Sequence, residues 1–129
     1  MTKKFYIASS FQNINNVRHV SEAFITKGFH HTYDWTQNSR AASLEELRLI
    51  GNAEKEAVQQ ADFLVVLLPA GKGSHIEFGI ALAENKNIYL HSPDENVYHM
   101  DYTSTFYHLD NVNIIVGTYE QLIEAVSLK

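Results

Sequence analysis

The sequence predicts an open three-layer α/β sandwich built on a five-stranded, mostly parallel sheet, and three observations carry that prediction. Strand-like and helix-like segments alternate along the whole chain, the pattern of a parallel sheet with helices on both faces. The most apolar run, Phe63-Leu64-Val65-Val66-Leu67-Leu68, is unbroken rather than alternating, as a strand covered on both faces requires. A glycine-bearing turn through Gly71 and Gly73 joins that run to a segment rich in Ala and Leu, Ile76 to Ala83, which reads as a helix. In such sheets ligands bind outside the C-terminal ends of the strands.

Each element has its own signal. Lys4 to Ala8 is the first strand, with Ser9-Ser10-Phe11 as its exit. Asn13 is placed to cap a helix through Lys27, whose buried face is Ile14, Val17, Val20 and Phe24, and Gly28 is its stop. Phe29 to Tyr33 reads as a second strand, leading into Asp34-Trp35-Thr36 and the polar stretch Gln37 to Arg40. Ser43 with Glu46 has capping-box spacing and opens a helix to about Gln60. Its apolar stripe is Leu47, Ile50, Ala57, Val58 and Ala61, and Glu54 falls in the middle of it. Beyond the third strand and its helix, Asn87 to His91 is the fourth strand and Val112 to Val116 the fifth. Between them Ser92 to Asp110 has no period; a connection this long is functional or holds short local structure. Thr118 with Gln121 caps a last helix to about Leu128, with Leu122 and Val126 inward.

Bulk properties narrow the function. The 129 residues, 45% hydrophobic and 19% charged, fit one domain, residues 1–129, with a single core. A net charge of -5 argues against a nucleic-acid backbone as the main partner. The absence of cysteine removes a disulfide framework and a thiol nucleophile. Met1-Thr2-Lys3-Lys4 leads straight into a strand without the apolar core of a signal peptide, and no apolar run approaches membrane-spanning length. A cytoplasmic protein with no membrane partner is expected. The seven histidines are scattered apart from His30-His31, with no His-x-x-x-His pair, so neither a metal nor a cofactor is expected. Lys72 lies between the glycines, unlike a Walker A lysine, and Ser74 lacks the Gly-x-Ser-x-Gly elbow.

What remains is a carboxylate beside a glycine loop. Glu77 is expected in the first turn of its helix, where exposed N–H groups and the helix dipole favour its ionised form. Ser74 and Glu77 also have capping-box spacing, so Glu77 is either a cap or a reactive group. Glu54 is a second carboxylate on a packed helix face. It is either a side chain whose head reaches solvent or a partner for Glu77.

The stretch Gly-Lys-Gly-Ser-His-Ile-Glu-Phe-Gly-Ile-Ala-Leu-Ala, Gly71 to Ala83, resembles the nucleoside 2-deoxyribosyltransferase family, which includes the 2'-deoxynucleoside 5'-phosphate N-hydrolases. The resemblance extends over Glu54 to Leu68, with an acid eight residues before Asp62, and more weakly over Phe-Tyr-Ile-Ala-Ser-Ser at the start. It implies a flavodoxin-like fold and N-glycosidic bond chemistry on a nucleoside or nucleotide. By resemblance Glu77 attacks the anomeric carbon. Glu54, where the family carries Asp, protonates the leaving base or orients the groups around it, with Asp34 as a further acid. The loop Gly71 to Ser74, including Gly73 and the Ser74 hydroxyl, is placed to hold a 5'-phosphate, and Ser9, Ser10 and Phe11 to contact substrate. Ala8-Ser9-Ser10 lacks the glycine common in the family. Water as acceptor would make a hydrolase, a second base a transferase. A catalytically silent nucleotide-binding module and an NAD-type glycohydrolase are the alternatives. The resemblance also implies a homodimer or larger homo-oligomer in which a neighbour helps close the site. The aromatic segment bearing Tyr98, Tyr102 and Tyr107 is expected near the base pocket or the contact.

Overall fold

The computed structural model describes residues 2–127; Met1 and the expected helix end at Leu128 lie outside them. Five strands, β1 (Lys4–Ala8), β2 (His30–His31), β3 (Phe63–Leu67), β4 (Asn87–Ser92) and β5 (Val112–Val116), form one sheet in the order β2-β1-β3-β4-β5. Every pairing is parallel. Four helices connect or follow them: α1 (Ile14–Thr26), α2 (Leu44–Gln60), α3 (Lys72–Ala83) and α4 (Tyr119–Ser127). This is the flavodoxin-like arrangement, and its strand order reverses between β1 and β3, where a crevice opens at the sheet's C-terminal edge.

The layers follow from the period of the strands. All five residues of β3 are buried, because helices cover both sides. Phe24 of α1 meets Phe5 and Phe63 edge-on, so these odd-numbered positions face α1. Alternation then points Tyr6 at the opposite face, where α2 and α3 pack against each other and against β1. Residue types at the turns fit the backbone they adopt. Gly28 ends α1 at φ +96. Gly117 has φ +142, and a Cβ there would meet the Gln121 Oε1 at 1.9 Å. That close approach belongs to the expected cap: the Gln121 amide donates to Thr118 Oγ1 and the Thr118 amide to Gln121 Oε1.

Several elements depart from the sequence reading. The second strand pairs over His30–His31 alone, since only Lys4 and Phe5 of β1 are aligned with it. Asn13 stands before α1 without a capping bond from its side chain, because its amide donates to Ser9 Oγ and its carbonyl accepts from Asn16. The Ser43 hydroxyl does accept from the Glu46 amide, but Glu46 reaches back to the Ala42 amide. The α2 stripe is buried only at its C-terminal end, Ala57, Val58 and the capping Ala61. Leu47, expected inside, is 56% exposed, in a first half of α2 whose residues 44–49 are all exposed. The connection from Ser92 to Asp110 holds two short 3-10 turns, Glu95–Tyr98 and Thr105–His108, where a crossover helix would otherwise lie.

Candidate functional site

Helix α3 begins at Lys72, four residues before the expected start, with Gly71 as its N-cap. Glu77 is therefore its sixth residue and lies in the second turn, not the first. The expected Ser74–Glu77 capping box does not form. The Ser74 hydroxyl instead accepts from the Gly71 amide at 3.3 Å and donates to the Ser9 carbonyl at 2.8 Å. Those bonds clamp the start of α3 to the exit of β1. They also commit the hydroxyl that the sequence reading offered to a phosphate.

Freed from capping, the Glu77 carboxyl points at the sheet. Tyr6, the middle residue of β1, donates its hydroxyl to Glu77 Oε2 at 2.7 Å. Glu77 is only 8% exposed, and burial pushes its carboxyl up to about 8; the Tyr6 hydrogen bond pulls the other way, and the nearby Glu54 charge adds to the rise. This overturns the expectation of a carboxylate held ionised by the helix dipole: two turns in, desolvation dominates. Glu54 is half-buried, and burial raises its carboxyl too. The Tyr6 hydroxyl is itself raised, first by burial and then by the Glu77 charge, so it stays a donor.

Both carboxyls line a cavity of about 340 Å3 between the exits of β1 and β3. Ser9, Ser10 and Phe11 form one wall, and Gly71, Lys72, Gly73 and Ser74 the other. The two serines differ. The Ser9 hydroxyl donates to the Leu67 carbonyl at 2.7 Å and accepts from the Asn13 amide, so it ties β1 to β3. The Ser10 hydroxyl is buried without a partner among the described residues, which leaves it open to a ligand. The first amides of α3, at Lys72 and Gly73, have no helical carbonyl one turn earlier to bond, and both residues line the cavity. Trp35 closes the cavity. Its indole donates to the Ile7 carbonyl at 2.7 Å, and Phe11 meets its ring edge-on at 5.3 Å.

Asp34 does not line this cavity. It caps a 3-10 turn, accepting from the Thr36 amide and hydroxyl and from Gln37. Burial alone would raise its carboxyl, but those bonds hold it below the usual range. The aromatic segment also lies apart. Tyr102 and Tyr107 line a neighbouring cavity of about 460 Å3 across the glycine loop. Tyr107 is buried edge-on against Phe78, and its hydroxyl meets His75 Nε2 at 2.8 Å; Tyr98 lines neither cavity. The sequence reading missed Tyr6, Trp35 and Lys72. A polar tip in a buried strand and an aromatic ring just past the second strand's exit were the available signals.

No family model and no curated protein sequence matches the chain. Solved structures do. The CMP N-glycosidase BcmB of Clostridium botulinum superposes with a TM-score of 0.69 at 19% identity, over 98% of both chains. A conserved protein from Enterococcus faecalis V583 superposes with a TM-score of 0.61 at 17% identity, over 99% of both. These likenesses establish a shared fold along the full length. Among the described residues, no helix is long and apolar enough to cross a membrane.

Proposed function

We propose that the chain cleaves the N-glycosidic bond of a nucleoside or nucleotide in the Glu77–Glu54 cavity. The observation that carries this is one cavity at the strand-order reversal lined by the buried Glu77 carboxyl, which Tyr6 fixes, by the half-buried Glu54 and by the glycine loop. The fold shared with a CMP N-glycosidase supports the same chemistry, as does the sequence resemblance to the nucleoside 2-deoxyribosyltransferases. Deoxynucleosides and their 5'-monophosphates are the expected substrates.

The mechanism follows from the proton inventory. The pair carries one proton, which the deeper burial of Glu77 favours on that residue at rest; the reacting form has moved it to Glu54, leaving Glu77 ionised. A Glu77 oxygen attacks the anomeric carbon, the bond from carbon to base nitrogen breaks, and its electron pair leaves with the base, which takes the Glu54 proton. Water then attacks the anomeric carbon, Glu54 takes back a proton, and Glu77 departs as a carboxylate. A second base in place of water would make the reaction a transfer. The Tyr6 hydroxyl holds the nucleophile in place without sharing in the bond changes. A 5'-phosphate would lie over the Lys72 and Gly73 amides, with the Lys72 ammonium and the Ser10 hydroxyl beside it. Asp34 takes no part in these steps.

The reading includes a homo-oligomer. Met100, Tyr102 and Phe106 are exposed on the β4–β5 connection, as are Phe11 at the cavity wall and Ile76 on α3. Apolar groups so placed fit a subunit contact that roofs the site.

Incubation with a panel of nucleosides, ribo- and deoxynucleotides and NAD, followed by chromatography, tests the reading. Free base and free sugar or sugar phosphate in equal amounts are expected. Bases transferred without sugar release would make it a transferase, and no cleavage of any member would leave a silent binding module.

A further inference from the structure

Past the Phe11–Trp35 wall the catalytic cavity continues into a larger one of about 780 Å3. Phe11, Trp35 and Glu54 border both, so a bond broken beside Glu54 would deliver its leaving group into the second space. That space is apolar where Leu47 and Ile50 of α2 form its side. Arg40, exposed on the loop before α2, also lines it. Arg40 makes no ion pair among the described residues, although the chain is acidic overall. The neighbouring Asn38 amide is engaged with the Tyr33 hydroxyl, and Arg40 is the cationic residue of this lining.

We propose that Arg40 reads the leaving group, and that the preferred leaving group is a 6-oxopurine. This rests on the glycosidase reading of the adjoining cavity. A guanidinium presents a fork of donors that matches two adjacent acceptors. The O6 and N7 atoms of guanine and hypoxanthine are such a pair. Cytosine and adenine place an amino group where the 6-oxopurine has its carbonyl, so a donor would face a donor. The space also favours a bicyclic base, whose faces Leu47, Ile50 and the Phe11–Trp35 wall would cover. The second cavity, at about 780 Å3, is more than twice the first, at about 340 Å3.

The test uses the single tryptophan of the chain, Trp35, as the reporter. In Glu77→Gln, which is not expected to turn over, quenching of Trp35 is titrated with dGMP, dIMP, dCMP and dAMP. dGMP and dIMP are expected to bind at least tenfold tighter than dCMP and dAMP. Arg40→Gln should collapse that ratio toward one, and Arg40→Lys should retain part of it. Equal or tighter binding of dCMP, or a ratio unchanged in Arg40→Gln, overturns the proposal. Wild-type base release separates the failures. Cytosine released as readily as guanine overturns the Arg40 assignment alone, whereas binding without any base release overturns the glycosidase reading and leaves the titration to decide Arg40. A panel in which no nucleotide quenches Trp35 overturns both.

Discussion

The Glu77 carboxyl holds its proton more tightly in the folded chain than in the unfolded one, since burial raises it from 4.5 to about 8. Between those values the folded state binds more protons than the unfolded state, so stability falls as pH rises through the window and levels off above about 8. Glu77→Gln keeps an acceptor for the Tyr6 hydroxyl and removes the titration. At pH 8.5 the variant should be more stable than wild type, by on the order of 5 kcal/mol, and the two should converge near pH 4. Denaturant unfolding at both pH values checks this; parallel pH profiles would count against a buried, protonating Glu77. Tyr6 supplies a second expectation. Its hydrogen bond lowers the Glu77 carboxyl, so Tyr6→Phe moves the acidic limb of the base-release profile to higher pH. A charge-assisted bond of this kind is worth about 10- to 100-fold in rate near pH 7. A rate loss with no movement of the limb would instead mean that Tyr6 merely packs.

At the scale of elements, the join of β1 to α3 positions the site. The Ser74 hydroxyl bridges the Gly71 amide and the Ser9 carbonyl, and Ser9 in turn bonds the Leu67 carbonyl at the end of β3. Ser74→Ala should cost about 1 kcal/mol and lower Tm by about 4 °C, and should raise KM more than it lowers kcat. An unchanged Tm would show the bridge to be idle. This join was only half legible in the sequence. The continuous apolar run of β3, the Ser43 cap of α2 and the Thr118–Gln121 cap of α4 are local signals, and those elements form where the residues indicate. The start of α3 is not local. Gly71 and Gly73 read as loop because glycine is a poor helix former. The first turn is held there by bonds to a strand more than sixty residues away in sequence. The same long-range contact moves Ser74 from phosphate ligand to bridge and puts Glu77 in the second turn. Leu47 was read as core from its period, yet periodicity cannot tell which turns of a helix are covered by other elements.

The whole molecule pairs a sheet closed on both faces with an uncovered rim. Leu44 and Leu47 of α2, Ile76 of α3 and Met100 of the β4–β5 connection all exceed half exposure, and the proposed subunit contact would draw on such groups. Light scattering at micromolar concentration should give a mass of at least twice 14.7 kDa; a monomer mass unchanged by nucleotide would remove the shared-site reading. The parallel sheet and the loop at its edge were legible because they follow from alternation and a glycine turn. The sharing of one cavity by Glu54 and Glu77 was legible only as a possibility, since the two helices on either side of β3 in the chain must pack together to bring the carboxyls there. The central claim is that Glu77 forms the bond to the sugar. The most direct measurement is base release by wild type and Glu77→Gln side by side, on whichever nucleotide the wild type cleaves. The account predicts a loss of about 1000-fold or more, with nucleotide still quenching Trp35 in the variant. Base release by Glu77→Gln at the wild-type rate would contradict it.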